Sequence, residues 1–329
     1  MILILSFSEL NISVEQVIDW LDFYQADYKR ILGDDFFSGT QEVAYYLDET
    51  ERYQTPHLDL SEVQAVWFRG FVRHRNFIKE VTDDLQTANS NLSELSGRIS
   101  KALHKNTNFF FNSLKDKNQL PNLESLKIDK VEVLAKARKV GLRIPKTLVT
   151  NNKQKLLEFY EDCNQKIITK SLHECVYFFE EDKAFSFKTY LLSQEDVHNF
   201  EDHFFPSLFQ GYVEKEYELR VFYLDGVMYS MAIFSQLDEQ TQVDFRRYND
   251  EKPNRTVPYK LPEAEAKKIH QLMQMLNLST GSVDLIKTKD DEFCFLEVNP
   301  NGQFGMTSYP CNYHLEQKIA QRLIQDDKN

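Results

Sequence analysis

The stretch "GSVDLIKTKDDEFCFLEVN", residues 281–299, has the pattern of a β-hairpin that carries an acid inside each apolar strand. A symmetric turn centred on Asp290–Asp291 would place Asp284 opposite Glu297. Directly opposed residues have Cβ atoms ~5 Å apart, and like charges at that distance destabilise a sheet unless something compensates them. A bound cation is the natural compensator, so this hairpin predicts a metal site.

Asn299 lies two residues beyond Glu297, so the two side chains share one face of the strand. An Asp, a Glu and an amide oxygen then converge, and such all-oxygen sites favour Mg²⁺ or Mn²⁺. Water molecules and nucleotide phosphates commonly complete the coordination shell of such a metal ion. The alternative is that Asp284 points to solvent and Glu297 pairs with a nearby lysine or arginine. A turn of odd length would shift the register and favour that alternative.

Composition excludes several other classes of protein. The chain has 329 residues and a formal charge of −12, which repels polyphosphate backbones, and it contains no basic run, so we expect no nucleic-acid partner. The opening "MILILSF" lacks a basic flank and is too short to span a membrane, which favours the first strand of a cytoplasmic protein. The four cysteines form no CxxC pair, so neither a zinc framework nor a disulfide scaffold is indicated.

The order of apolar segments predicts an α/β (α+β) chain of three domains. Strands "MILILSF", "AVWFRG" and "NFFFNS" alternate with helical stretches near 13–24 and 81–103, as in an open, mostly parallel layer. The polar segment "SLKDKNQLPNLES" then has the character of a linker. The predicted domains are an N-terminal α/β domain (1–115), a small central domain (116–203) and a sheet-rich C-terminal domain (204–329).

Turn and cap residues place the elements of the second and third domains. "KIDKVEVLAKARKVGLRIPKTLVT" predicts a helix followed by a strand, with Gly141 at the helix end. We also expect a hairpin that turns near Asp182–Lys183, a helix with Ser193 as N-cap, and a type I′ turn at Asp225–Gly226. A helix over 263–276 and a terminal helix after Pro310 complete the prediction.

Four segments together resemble ATP-grasp ligases. "VDLIKT…FCFLEVNPNGQFG" is similar to their closing metal-binding element, "IDKVEVLAKARKVGLRIPKTLVT" to the entry of the fold, and "KIITK" and "LFQGYVEKEYELRVFYLDG" to the second phosphate lysine and the hinge. The resemblance implies an ATP-grasp fold after an N-terminal pre-ATP-grasp domain, with ATP and Mg²⁺ (or Mn²⁺) as cofactors. It also assigns roles: phosphate contacts to Lys130, Lys170 and Arg220, adenine contacts to Gln210, Tyr212 and Val213, and metal ligation to Asp284, Glu297 and Asn299.

Taken singly, these residues have plainer explanations. A lone lysine in a charged chain is more often a solvated surface residue than a phosphate ligand. Arg220 lies two residues from Glu218, so the two could form a surface ion pair of little energetic value. The glycine-rich loop that many ATP-grasp enzymes carry after the second lysine is also missing, since Lys170 is followed by "SLHECVYFF".

Within the superfamily, the chain resembles microviridin-type and grasp-with-spasm (chryseoviridin-like) peptide macrocyclases. "SMAIFSQLDEQTQVDFRRYN" is similar to their substrate-side element and "SQEDVHNF" to their leader-binding segment. The resemblance implies a ribosomally made precursor peptide, with leader and core, as partner, and it also suggests a homodimer. Asp244 and Arg246 would then act at the substrate, and Glu195, Asp196 and Asn199 would bind the leader, although acids in a first helical turn are favoured by the helix dipole regardless of function.

The implied reaction activates an Asp or Glu side chain of the peptide as an acyl phosphate, which a Ser or Thr hydroxyl displaces to close an ω-ester ring. No enzyme nucleophile is needed, because positioning and charge neutralisation carry the chemistry. Two alternatives remain open. One is an amide-forming ligase that uses a lysine side chain or adds an amino acid, and the other is a regulatory module that binds ATP without turnover.

Overall fold

The computed structural model describes residues 1–7, 11–33, 44–47, 51–55, 58–71, 92–126, 128–172, 177–180, 183–186, 189–236 and 253–328. The chain forms two compact units, unit 1 of residues 1–126, 303–308 and 314–329, and unit 2 of residues 127–302 and 309–313. The predicted mixture of helix and sheet is confirmed. The division into three domains stays a prediction.

The described strands and helices are named in chain order. The strands are β1 (Ile2–Ser6), β2 (Tyr28–Leu32), β3 (Ala44–Leu47), β4 (Glu51–Thr55), β5 (Leu58–Asp59), β6 (Ala65–Phe68), β7 (Asn118–Leu120), β8 (Thr147–Asn152), β9 (Ile167–Lys170), β10 (Tyr177–Glu180), β11 (Lys183–Ser186), β12 (Tyr190–Leu192), β13 (His203–Gly211), β14 (Lys215–Leu224), β15 (Val227–Phe234), β16 (Arg255–Tyr259), β17 (Thr280–Thr288) and β18 (Phe293–Asn299). The helices are α1 (Ile12–Phe23), α2 (Leu92–Asn112), α3 (Lys130–Lys139), α4 (Lys153–Asp162), α5 (Gln194–His198), α6 (Glu263–Met275), α7 (Gly305–Cys311) and α8 (Leu315–Lys328).

Unit 1 is built on a parallel sheet in the order β2-β1-β6-β7. All five residues of β1 are buried, as expected for a parallel strand covered on both faces. Helix α1 buries Val14, Val17 and Leu21, which recur at helical spacing. The predicted open, parallel α/β layer is therefore confirmed.

Two predictions for unit 1 are wrong. "NFFFNS" is not a strand but spans the end of α2, where Thr107 and Phe110 are both buried three residues apart, a helical spacing that a short apolar run does not reveal. The segment interpreted as a linker supplies β7, whose Leu120 pairs with Trp67. Its polar residues and proline masked a strand of only three residues.

Unit 2 contains an antiparallel sheet in the order β12-β9-β13-β8. Helices α4 and α5 cover one face, where Leu156 and Val197 pack with Phe209 of β13. Strands β10 and β11 form a separate hairpin in which Glu180 pairs with Lys183, so the predicted turn is confirmed. The opposite face of the four-stranded sheet remains available for a site.

A second antiparallel sheet of unit 2 has the order β16-β15-β14-β17-β18. One face packs on α3 and α6 through a core that includes Ala137, Ile269 and Phe295. Asp225 and Gly226 both have positive φ angles, +46° and +90°, which confirms the type I′ turn. The other face carries the acids singled out in the sequence.

The C-terminal segment contains one helix that the sequence did not predict. Helix α7 runs through Pro310, and the predicted terminal helix is α8. Tyr313, between them, packs on β15 and donates its hydroxyl to the carbonyl oxygen of Ser230 at 2.7 Å. Among the helices in the described ranges, none is both long and apolar enough to cross a membrane.

Candidate functional site

The β17–β18 hairpin places Asp284 directly opposite Glu297, as the sequence predicts. The turn that produces this register differs from the symmetric turn predicted from the sequence. Nearer the turn, Leu285 pairs with Phe295 and the turn is centred on Asp290, so it contains an odd number of residues. A β-bulge at Leu296 adds one residue to β18 and restores the opposition of the two acids.

Asp284 also lies beside Arg220 on the neighbouring strand β14. One terminal nitrogen of Arg220 donates to both carboxylate oxygens of Asp284, at 2.9 and 3.0 Å, and the two side chains are only 10% and 14% exposed. The buried Nε of Arg220 meets no hydrogen-bond acceptor within the described ranges. The guanidinium therefore keeps one donor for an anionic ligand.

The two predicted phosphate lysines meet at the end of β9. Lys170 Nζ lies 3.8 Å from Glu297 Oε2, and these side chains are 12% and 25% exposed. Lys130 Nζ donates to the carbonyl oxygen of Ser171 at 3.1 Å. Asp129 caps α3 by accepting from the first backbone amides of the helix, which fixes the helical start that carries Lys130.

A cleft that is partly open to solvent lies between the two sheets of unit 2. Six of the residues that the sequence singled out line it together: Lys170, Gln210, Tyr212, Val213, Asp284 and Glu297. Residues that lie far apart in the sequence are thus gathered around one space.

Gln210, which lines the cleft, has a buried polar atom available for a ligand. Gln210 is 1% exposed, and its Nε2 donates to Thr147 Oγ1 at 3.0 Å. Its Oε1 is buried and accepts no hydrogen bond from any described residue, a situation that costs about 1–3 kcal/mol. An amino group of a bound ligand would relieve that cost. In the same cleft, burial raises the pKa of Tyr212, and the nearby Glu214 adds to the increase.

The sequence did not identify a buried ion pair inside the cleft. Lys215 and Glu218 are 3% and 6% exposed and bond to each other. Glu218 therefore pairs with Lys215, and Arg220 pairs with Asp284 instead of with Glu218. A shift in strand register next to Lys215 brings residues three apart to the same side, which strict alternation along a strand cannot foresee.

Asn299 shares the face of Glu297 by the strand period but is exposed. Its Oδ1 accepts from the Asn301 amide at 3.0 Å. Gly302 packs so closely that a Cβ there would lie 2.3 Å from Ser282 Oγ. Within the described ranges, no cluster of three or more His, Cys, Asp or Glu side chains could hold a metal, so the oxygen-donor set is two carboxylates with one amide beside them.

The remaining predicted residues fall into two groups. Asp244 and Arg246 lie outside the described residues. Glu195 and Asp196 belong to α5, and Asn199 is its C-cap. Asp196 has a structural task there: it accepts hydrogen bonds from Ser193, whose side chain and backbone lower the pKa of Asp196. Its proposed contact with a leader peptide stays a prediction.

Solved structures of peptide ligases resemble the whole chain. The macrocyclase MdnC of Microcystis aeruginosa MRC, bound with the precursor peptide MdnA, has 26% identity and a TM-score of 0.79, with 98% of this chain and 99% of that chain covered. A RiPP-associated ATP-grasp ligase of Chryseobacterium gregarium, in complex with ADP and a leader and core peptide, has 22% identity and a TM-score of 0.80, with 98% and 95% covered. The ATP-grasp ligase PsnB, complexed with minimal precursor, Mg and ADP, has 14% identity and a TM-score of 0.75, with 99% and 97% covered. No protein-family model and no curated protein matches the chain.

The chain has the fold of solved ATP-grasp ligases, and its charged cleft lies between two sheets of that fold. Within that class, the resemblance to peptide macrocyclases extends over the full chain, which confirms the resemblance found in the sequence. The likeness to the other two structures, both less than 25% identical, supports the fold alone.

Proposed function

We propose that this protein is an ATP-dependent peptide macrocyclase. It activates Asp or Glu side chains of a ribosomal precursor peptide as acyl phosphates, and Ser or Thr hydroxyls displace the phosphate to form ω-ester rings. The observation that carries the proposal is the opposition of Asp284 and Glu297, with Arg220 hydrogen-bonded to Asp284 and Lys170 ion-paired with Glu297. Such a set of anions and cations suits a metal-bound polyphosphate.

The residues fit Mg²⁺ as the metal. Asp284 and Glu297 supply two carboxylates and Asn299 an amide oxygen, which are hard ligands, and the described part of the chain offers no nitrogen- or sulfur-rich alternative. When bound, Mg²⁺ would neutralise the charge that develops on the transferring phosphoryl group. The complexes of similar fold that contain ADP, one of them also with Mg, support ATP and Mg²⁺ as the cofactors.

The protein's own side chains bind and orient the reactants. Lys130, Lys170 and Arg220 neutralise the phosphates, and the free donor of Arg220 contacts the transferring group. The unsatisfied Oε1 of Gln210 accepts from the amino group of adenine, and Tyr212 and Val213 flank the base. No covalent enzyme intermediate is required, because the peptide carboxylate attacks the phosphate directly.

The peptide partner is proposed from the resemblance. MdnC was crystallised with a precursor peptide and the C. gregarium ligase with leader and core peptides. By analogy, Glu195, Asp196 and Asn199 bind the leader, and Asp244 and Arg246 act at the core. An ester product rests on that analogy, since an amide would form through the same acyl phosphate with an amine as nucleophile.

The test is to incubate the full chain with ATP, Mg²⁺ and a peptide encoded beside it that contains Thr or Ser together with Asp or Glu. We expect products lighter by whole molecules of water, with mild alkali reversing the loss if the rings are esters. A gain in mass would show amino-acid addition instead, and an unchanged mass with the authentic peptide would refute cyclisation.

A matched pair of variants ties the activity to the cleft. Glu297→Gln removes a metal ligand while keeping the side-chain shape, and we expect it to abolish product formation. Glu158→Gln changes an acid that pairs with Lys155 on the surface of α4, and we expect normal product from it. Equal activity of the two variants would contradict the assignment of the site.

A further inference from the structure

The charges in the cleft neutralise one another. Asp284 bonds to Arg220, Glu297 lies within 3.8 Å of Lys170, and Lys215 bonds to Glu218. In the first two pairs, the anion belongs to the proposed metal set and the cation to the proposed phosphate set. The carboxylates that would hold the metal are therefore already ion-paired with the cations that would hold the phosphates.

This pairing affects the two ligands differently when they arrive alone. A free nucleotide that approaches Arg220 and Lys170 meets the carboxylates of Asp284 and Glu297 a few ångströms away, and like charges repel strongly where exposure is low. Free Mg²⁺ meets the two cations in the same way. The side chains of both ion pairs are at most 25% exposed, so water screens these repulsions less than it would on the surface.

The metal–nucleotide complex encounters no such repulsion. The metal supplies positive charge next to Asp284 and Glu297, while the phosphates supply negative charge next to Arg220 and Lys170. Every side chain of the two pairs then gains a partner of opposite sign. Because each ligand removes the repulsion that the other would encounter, their binding free energies are coupled, and the coupling acts equally in both directions.

We propose that Asp284 and Glu297 are specificity-determining residues that make the cleft select the metal-bound nucleotide over the free nucleotide. This rests on the proposed function, because it takes the cleft to be the nucleotide site. It goes beyond metal ligation, since a residue that only held metal would leave metal-free nucleotide binding unchanged when replaced. The carboxylates instead suppress metal-free binding, so their removal strengthens it.

The experiment titrates the full chain with ADP by isothermal titration calorimetry, in EDTA and in MgCl₂ at the same ionic strength. For the natural sequence, we expect Mg²⁺ to strengthen ADP binding at least about tenfold, which is within the usual range for coupled sites. For Asp284→Asn, we expect metal-free ADP binding to strengthen about threefold to tenfold and the effect of Mg²⁺ to fall to about twofold, because Arg220 no longer faces a carboxylate.

Glu297→Gln provides a second, independent arm, with a smaller gain in metal-free binding because its ion pair with Lys170 is longer than the Arg220–Asp284 contact. It also keeps the test decisive if Asp284→Asn does not fold. Glu158→Gln, which alters an exposed pair at the surface of α4, should bind ADP as the natural sequence does under both conditions.

Two results would overturn the proposal: equal ADP affinity with and without Mg²⁺ in the natural sequence, or unchanged or weaker metal-free binding in both carboxylate variants. Either result, together with normal peptide modification, would leave the proposed function standing. If the natural sequence bound no ADP even with Mg²⁺, the nucleotide site itself would be refuted, and with it both proposals.

Discussion

Replacing Arg220 by methionine tests the charge balance of the cleft from the side of the cation. Methionine keeps the length and apolar stem of the side chain but removes the donor that bonds to both oxygens of Asp284 at 2.9 and 3.0 Å. The carboxylate of Asp284 would then stay mostly buried but lose its hydrogen bonds to the guanidinium of Arg220. We therefore expect a loss of folding stability that depends on whether a metal is present.

The magnitude follows from the burial of the pair. Removing one partner of a buried ion pair costs about 3–5 kcal/mol. Because Arg220 and Asp284 are 10% and 14% exposed, residual solvation reduces this, and we expect about 2–4 kcal/mol. For a unit of this size, that corresponds to a melting temperature lower by roughly 4–16 °C. Mg²⁺ should restore more stability to Arg220→Met than to the natural sequence, since the metal replaces the missing positive charge.

The assay is thermal unfolding by circular dichroism in EDTA and in MgCl₂, with the transition of unit 2 identified by its shift on addition of Mg²⁺ and ADP. Lys155→Met is the control, because Lys155 pairs with Glu158 at an exposed site of α4, and it should lower the melting temperature by less than about 2 °C. If Arg220→Met is no less stable than this control, or gains nothing extra from Mg²⁺, Arg220 does not neutralise the metal site.

Two further substitutions probe the rest of the cleft. Gly302→Ala should weaken Mg²⁺-dependent ADP binding and cost about 1–3 kcal/mol of stability, because its Cβ would lie 2.3 Å from Ser282 Oγ. Adding Ser282→Gly should recover the ADP affinity and the stability. If the double variant recovers neither, this clash is not the cause. Gln210→Leu should weaken ADP binding about fivefold to thirtyfold, the equivalent of 1–2 kcal/mol. It should not lower the melting temperature, because it removes a buried acceptor that no described residue satisfies. Unchanged ADP affinity would remove Gln210 from the adenine site.

The hairpin shows how far the sequence predicts the site. The alternation of apolar residues and the two acids located both strands and the opposition of Asp284 to Glu297. The bulge at Leu296 was not predictable, because an extra residue in a strand leaves no mark on an apolar run such as "FCFLEV". The register was correct because an odd turn and a bulge, each of which shifts the pairing, offset each other.

Other parts of the site depend on contacts between distant segments. Lys170 could be assigned only by resemblance, since its position near Glu297 arises from two sheets that meet in unit 2. The Lys215–Glu218 pair depends on a local register shift that residue spacing does not reveal. Likewise, "NFFFNS" was predicted as a strand because three consecutive phenylalanines suit a strand as well as a buried helix, and only packing decides between the two.

In the proposed reaction, this cleft activates a peptide carboxylate as an acyl phosphate. A precursor peptide whose Asp and Glu side-chain carboxyl groups carry oxygen-18 is incubated with the protein, ATP and Mg²⁺, and the isotope in the released phosphate is measured by mass spectrometry. We expect each ring closure to transfer one heavy oxygen from the peptide to inorganic phosphate, whether an ester or an amide forms. Ring closure that leaves the phosphate unlabelled would contradict the proposed reaction.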